Sequence, residues 1–208
     1  MREDFLSLLE TRKRINFLMI CLIALALLFL KKSFIEDRTA AFEFISDRPE
    51  GSVLALRSTL QYLSVPAVYA WKFTVVGFVV WVGCFMMGYR ITFAQCWRVV
   101  MAAEFVWFVP EVMKILYFLF VETDPDYYRI QAFYPLSLMN FADHATLSDR
   151  YHYPFKSINA FEPVYAAVVA QGLALISRRS FREMIRVMAF SYVPLLICWL
   201  IFWILVYD

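Results

Sequence analysis

Three charged side chains lie in the middle of one long apolar stretch of this chain, at Glu104, Glu111 and Lys114. The stretch covers residues 93–121 and also contains Pro110. A charge in the middle of a membrane helix costs about 2.5–3.5 kcal/mol on insertion scales, so such residues usually face the interior of a helix bundle. The pattern therefore predicts a membrane helix with a polar face.

Two chemical interpretations fit these residues. Glu104 and Glu111 are two helical turns apart and share a face, and the spacing of Glu111 and Lys114 allows a pair. One interpretation is an ion or proton site, or a polar contact with another subunit. The other is a structural network, in which Glu111 pairs with Lys114. Glu104 then bonds to Arg98, Lys72 or a neighbouring helix. Arg98 itself is expected at the cytoplasmic interface rather than in a pocket.

A second candidate site is Glu162, near the start of a later apolar stretch. Asn159 precedes it by three residues. That spacing also fits an approximate capping box, in which the first side chain caps the helix and the second reaches back. We expect this helix-start role for the two residues, with an ion or partner contact as the alternative.

The segment 122–157 is rich in acidic and imidazole side chains, which can bind metals or do acid–base chemistry. Their spacing matches no metal or catalytic template, and we expect a solvated loop with no metal and no cofactor. The chain also has no catalytic triad signature and no phosphate-binding loop, so we expect no enzymatic activity. The side chains concerned are Asp124, Asp126, Asp143, His144, Asp149 and His152.

The composition is that of a membrane protein. Of the 208 residues, 62% are hydrophobic and 18% are charged, with a mean hydropathy of +0.61. Soluble domains average about 45–50% apolar and about 25% charged residues. The net charge of +2 indicates no nucleic-acid partner. We expect one all-α membrane domain over residues 1–208, with about five transmembrane helices near 15–30, 66–88, 93–121, 158–176 and 184–207.

The segments between these spans also carry predictions. Residues 34–63 are amphipathic and fit either interfacial helices or a helical linker packed on the bundle. The polar loop 122–157 has an apolar patch at 136–141 that can dip into the interface. At 29 residues the span 93–121 is too long to stand upright, and Pro110 predicts a kink because it removes the hydrogen bond to Val106.

The distribution of basic residues predicts the orientation of the chain. Basic residues are dense before the first span and in the two short turns that follow the second and fourth spans. By the positive-inside rule, the N-terminus is then cytoplasmic and the C-terminus lies outside. The pair Lys31-Lys32 lies at the other end of the first span and argues against this orientation.

A short internal repeat links the second and third hairpins. The octapeptide Thr92–Val99 aligns without a gap to Ser180–Val187, and each copy has a hydroxyl residue, Phe, and later Arg-Val. Each copy then continues as an apolar helix with a proline, Pro110 or Pro194. The pattern predicts a parallel duplication of a helical hairpin, an arrangement that occurs in transporters. A chance match is the alternative.

These turn and helix motifs resemble the bacterial Yip1-like membrane proteins. The resemblance is clearest over residues 161–199, with Gly172-Leu173, Ser180-Phe181 and Ser191-Tyr192-Val193-Pro194, and Tyr134-Pro135-Leu136-Ser137-Leu138 is also similar. It implies five spans, a cytosolic N-terminus and a bacterial inner membrane. Eukaryotic members of the family are linked to vesicle traffic and small GTPases, whereas the bacterial members have no settled activity, so the resemblance implies a fold more than a function.

Two functions follow as hypotheses. The first is a non-enzymatic membrane protein that assists the assembly, organisation or trafficking of a membrane partner, in contact with lipids and with a protein partner or a second copy. The alternative is a small transporter or channel subunit that uses an intramembrane Glu/Lys seam. The candidate ligand, ion or partner contacts are Glu104, Glu111, Lys114, Arg98 and Glu162.

Overall fold

The computed structural model describes residues 13–33, 50–122, 127–142 and 146–207. These residues are helical apart from short connections, and no β-strand occurs among them, which confirms the predicted all-α fold. A 3-10 turn at Leu138–Phe141 precedes α6. The helices in chain order are α1 (Lys13–Lys31), α2 (Glu50–Met86), α3 (Phe93–Ala103), α4 (Phe105–Phe120), α5 (Tyr127–Ala132), α6 (Asp149–Ser157), α7 (Phe161–Ser177) and α8 (Phe181–Val206).

Within this described part, three helical segments are long and apolar enough to cross a membrane. They are Arg14–Lys31, Thr59–Met86 and Phe181–Val206. The chain is therefore a helical membrane bundle, as the composition predicts. The predicted fourth span corresponds to α7, which is apolar but has only 17 residues, and the predicted third span is divided between α3 and α4.

Helix α2 differs from the prediction because it runs without interruption through Pro66. The sequence predicts an amphipathic segment, interfacial or packed on the bundle, that ends near residue 63 and a separate span that begins at Pro66. A proline inside a membrane helix is tolerated when neighbouring groups satisfy the freed backbone atoms. The continuous helix places Lys72 in the middle of the span Thr59–Met86 rather than in its first turns. The rest of the predicted amphipathic segment, residues 34–49, lies outside the described residues.

The long stretch 93–121 is interrupted at Glu104 and not at Pro110. The Glu104 amide donates to the Met101 carbonyl, and the Trp107 amide donates to the Glu104 carbonyl, at 3.2 and 2.9 Å. Both bonds span three residues instead of four, so the helix tightens for one turn around Glu104. Pro110 lies inside α4. The interruption places the acidic side chain at the junction of two helices.

Helices α3 and α8 begin with the same local structure. Thr92 caps α3 and Ser180 caps α8, and each forms a complete capping box with the residue three positions later, Gln95 or Glu183. The aligned octapeptides therefore share one helix-start geometry. A capping box needs only a hydroxyl residue and a Glu or Gln three positions on, so the shared geometry does not require a duplication.

Helix α2 packs closely against both of these helices through two glycines. A Cβ atom on Gly77 would lie 3.2 Å from the Trp97 Cα atom in α3. A Cβ atom on Gly83 would lie 2.6 Å from the Ser191 Cβ atom in α8. Small residues at such contacts let membrane helices approach closely. The α2 helix thus fixes the distance between the two hairpins.

The segment between α4 and α7 is more structured than the predicted polar loop. It contains α5, the 3-10 turn and α6, and an isolated bridge joins Ser137 to Asn159 at the start of α7. Tyr153 of α6 accepts a hydrogen bond from the Trp199 indole at 2.9 Å and packs on Trp203 of α8. Such Trp and Tyr clusters are typical of membrane–water interfaces. They mark the end of α8 that lies farthest from Ser180.

Candidate functional site

An ion pair between two helices forms the centre of the candidate site. The Lys72 Nζ atom of α2 lies 2.7 Å from the Glu104 Oε1 atom at the α3–α4 junction. Glu104 is 1% exposed, and the Lys72 side chain is 35% exposed. Of the partners predicted for Glu104, the structure selects Lys72. A charge-assisted hydrogen bond of this length offsets part of the cost of holding both groups in a membrane helix.

Aromatic rings surround the Lys72 ammonium group. Its nitrogen lies 5.2 Å from the centroid of the Trp107 ring and 6.0 Å from that of Tyr165. An ammonium group within about 6 Å of an aromatic ring is attracted by the quadrupole of the ring, whose face has a negative electrostatic potential. Lys72 is therefore held by one carboxylate and two rings, which come from the α3–α4 junction, α4 and α7.

A second polar pair lies beside the first. The Tyr192 hydroxyl of α8 donates to the Glu162 Oε2 atom of α7 at 2.8 Å. The rings of Trp107, Tyr165 and Tyr192 form a row with centroid separations of 5.7 and 5.5 Å. Tyr165, which lies beside the Lys72 ammonium, packs on Tyr192, which binds Glu162. The two carboxylates and the ammonium thus belong to one cluster, named here the cage: Lys72, Glu104, Trp107, Glu162, Tyr165 and Tyr192.

The cage lies near the middle of the membrane span. Lys72 is central in Thr59–Met86. Glu104 and Tyr192 are each twelve residues beyond the cap of their helix, Thr92 or Ser180. At 1.5 Å per residue this is about 18 Å along each helix, a little over half of a hydrocarbon core of about 30 Å.

Three buried polar atoms of the cage have no hydrogen-bond partner. They are the Glu104 Oε2 atom, the Trp107 indole nitrogen and the Tyr165 hydroxyl. An unpartnered buried polar group costs about 1–3 kcal/mol, and such groups in native proteins commonly mark a ligand or water site. Tyr165 is fully buried. The cage therefore has polar groups beyond those that its own contacts use.

The capping prediction for Glu162 is half right. The Asn159 Oδ1 atom accepts hydrogen bonds from the amides of Phe161 and Glu162, at 2.9 and 3.2 Å, and so caps α7. The Glu162 carboxylate does not complete a capping box, because it turns to Tyr192 in the next helix. A membrane interior favours the hydrogen bond between Glu162 and Tyr192, because the Tyr192 hydroxyl also needs a partner there.

The predicted pair of Glu111 and Lys114 is wrong. Among the described residues no ion pair joins them. The buried Lys114 ammonium instead donates to the carbonyls of Ile130 and Phe133, at 2.5 and 2.8 Å. These carbonyls lie at the end of α5, where a cation complements the helix dipole. Lys114 thus anchors the loop segment to α4.

Glu111 and Arg98 lie outside the cage contacts. Glu111 is half-buried on α4, and its charge acts on Tyr134 in the connection after α5. Burial, followed by the charges of Glu111, Glu162 and Glu104, raises the pKa of Tyr134. Arg98 donates from its Nε atom to the Ala94 carbonyl, one turn earlier on its own helix, at 3.2 Å. The structure therefore brings together Glu104 and Glu162 of the five predicted residues.

Four members of the cage were missed as site residues: Lys72, Trp107, Tyr165 and Tyr192. Lys72 appeared only as a possible partner of Glu104. Tyr165 lies three residues after Glu162, a spacing that shares a helix face. Tyr192 is as many residues beyond Ser180 as Glu104 is beyond Thr92, so the alignment of the two octapeptides, if extended, points to it. In the described residues, no group of three or more Cys, His, Asp or Glu side chains could hold a metal ion.

Comparison of the chain with protein-family models, with curated proteins and with solved structures gives no match in any of the three. The geometry of the cage therefore carries the functional argument.

Proposed function

We propose that the protein is a non-enzymatic membrane protein that binds and translocates a small cation, either alone or as a channel or transporter subunit. The observation that carries this proposal is the hydrogen bonding of the two Glu104 carboxylate oxygens. One of its oxygens binds Lys72, and the other is buried in mid-span without a hydrogen-bond partner. Ionisable residues at such positions are typical of ion and substrate pathways.

The charges of the cage favour a positive ligand. The cage contains two carboxylates, Glu104 and Glu162, and one ammonium group, which Lys72 places on Glu104. With both carboxylates ionised, the three side chains together carry one net negative charge. A cation that enters the cage restores neutrality, which lowers the cost of the charges in a medium of low dielectric.

The position of the cage between two hairpins also supports translocation. Glu104 belongs to the α2–α3 hairpin and Tyr192 to the α7–α8 hairpin. In many transporters with internal repeats, the substrate site lies near the midplane, where the repeats meet and where a helix is interrupted. The interruption of the helix at Glu104 fits this arrangement.

The test is the flux of monovalent cations into liposomes that contain the purified full-length protein. We expect flux in the wild type and its loss in Glu104→Gln, which removes the charge but keeps the shape. Glu111→Gln is the matched control, because Glu111 is a half-buried carboxylate on the adjacent helix with no ion pair in the described structure. Absence of flux in folded wild-type protein would overturn the proposal.

The second candidate function is the assembly or organisation of a membrane partner. Only 11% of the span in α1 and 17% of the span in α8 are buried within this chain. These broad apolar faces contact lipid, a partner or a second copy. The Yip1-like resemblance supports the same function. Native mass spectrometry of the protein from its source membrane tests it, since a partner at fixed stoichiometry is then expected.

The proposed location is the bacterial inner membrane, with the N-terminus in the cytoplasm and the C-terminus outside. The Arg179 guanidinium lies 5.9 Å from the ring of Tyr89, so the two short basic turns meet at one end of the bundle. Under the positive-inside rule this end faces the cytoplasm.

A further inference from the structure

We propose that the cage binds a primary alkylammonium ion, and that Lys72 occupies the position of this ligand when the ligand is absent. The inference rests on the cation site proposed above and names the class of cation. Lys72 is itself a primary alkylammonium group on a flexible chain. Its contacts therefore show which surroundings the protein provides for such a group.

The contacts of Lys72 suit an ammonium group better than a metal ion. Hard metal ions are held by several oxygen ligands. Around the Lys72 nitrogen, one carboxylate oxygen lies at 2.7 Å, and the rings of Trp107 and Tyr165 lie at 5.2 and 6.0 Å. A primary ammonium group offers N–H donors to the carboxylate and a positive charge to the rings.

Acceptors for a second ammonium group remain in the cage. The Glu104 Oε2 atom and the Tyr165 hydroxyl are both buried and without a partner, and each can accept an N–H. Glu162 adds a second carboxylate, which the Tyr192 hydroxyl joins to the aromatic row. An incoming alkylammonium ion can therefore bind Glu104 while its alkyl group contacts the aromatic row.

Lys72 is free to leave when a ligand arrives. Its side chain is 35% exposed, whereas Glu104 is 1% exposed, so we expect the ammonium group rather than the carboxylate to move. A tethered group competes with a free ligand at the high effective concentration set by its short linker. Removal of the Lys72 ammonium should therefore raise the affinity of the cage for an alkylammonium ion by at least about tenfold.

The same ammonium chemistry has two sources: a water-soluble amine and the headgroup of an aminophospholipid. The experiment separates them with ethylammonium as the soluble probe and with membranes of phosphatidylcholine alone or mixed with phosphatidylethanolamine. A rise in melting temperature on addition of ethylammonium in phosphatidylcholine alone identifies a soluble amine. A rise in melting temperature that appears only when phosphatidylethanolamine is present in the membrane identifies the lipid headgroup.

The first measurement is the thermal stability of the full-length variant Lys72→Ala, titrated with ethylammonium. A ligand that binds only the folded state raises the melting temperature as its concentration increases. We expect a rise of several degrees, at concentrations at least about tenfold below those needed by the wild type. Lys72→Arg keeps a tethered cation and should behave like the wild type. Lys72→Ala with Glu104→Gln should show no rise.

Two control cations test whether the ligand must be a primary alkylammonium ion. Tetramethylammonium has the charge but no N–H donor, and sodium has neither the donor nor an alkyl group. An equal rise with either cation, or a rise in the double variant, would overturn the inference.

If Lys72→Ala does not fold, ethylammonium is titrated into the wild type while the tryptophan emission is followed, with Trp107→Phe as control. A saturable, Trp107-dependent change supports the inference, and its absence overturns it.

The flux measurement separates this inference from the proposed function. A sodium or potassium flux that depends on Glu104, without a response to ethylammonium, would overturn the amine class and leave translocation standing. Binding of ethylammonium without any flux would support the amine site and overturn translocation.

Discussion

Glu104 and Tyr192 occupy equivalent positions in two helical hairpins. Each lies twelve residues beyond a capped helix start, at Thr92 or Ser180. Each also bonds to the first helix of its own hairpin: Glu104 to Lys72 in α2, and Tyr192 to Glu162 in α7. The cage is thus formed by two similar contacts that the aromatic row connects.

The Lys72–Glu104 pair predicts a strong energetic coupling. Lys72→Met leaves a buried carboxylate without its cation and should lower the free energy of unfolding by about 2–3 kcal/mol. This is less than the roughly 3–5 kcal/mol of a fully buried pair, because Lys72 is partly exposed. Lys72→Met with Glu104→Gln should recover most of the loss, as measured by unfolding in mixed detergent micelles. Additive losses in the double variant would refute the coupling.

The two tyrosines of α7 and α8 form a matched pair for a hydroxyl deletion. Tyr192→Phe removes a hydrogen bond to the Glu162 carboxylate and should cost about 1.5–3 kcal/mol of stability. Tyr165→Phe removes a buried hydroxyl without a partner, so it should be neutral or slightly stabilising. Thermal unfolding of both variants beside the wild type checks this. Equal losses would show that the hydroxyl of Tyr165 is bonded, contrary to the structure.

The close contact of α2 with α8 predicts a steric effect at Gly83. In Gly83→Ala the new Cβ atom would lie 2.6 Å from the Ser191 Cβ atom, so the helices must separate. We expect a loss of about 1–3 kcal/mol, which is typical of overpacking. Ser191→Gly in the same chain should restore much of it, because it removes the opposing atom. A stable single variant would place α8 farther from α2 than the structure does.

Much of the fold is predictable because the membrane imposes simple rules on sequence. The apolar segments that became α1 and α8 are recognisable by length and hydropathy. The continuity of α2 was missed, because Pro66 ends many helices in water but is tolerated in a bundle whose neighbours satisfy the backbone.

The cage was only partly predictable because its contacts join distant segments. Glu104 is recognisable in the sequence because a charged residue in an apolar stretch is energetically costly and therefore indicates a specific role. Its partner Lys72 lies 32 residues earlier, and sequence spacing within one helix does not indicate contacts between helices. The same local reasoning paired Glu111 with Lys114, although the Lys114 ammonium caps α5 instead.

Under the proposed function, a cation from water reaches Lys72 in the middle of the membrane span. The most direct test is the reaction of Lys72→Cys, in a Cys198→Ser background, with a membrane-impermeant cationic thiol reagent. The thiolate reacts only where water reaches it, so we expect rapid modification from at least one side. Phe78→Cys on the same helix is the control, because Phe78 is 53% exposed on the apolar surface and should react slowly. No modification of Lys72→Cys from either side would contradict the claim and leave the pair a structural contact.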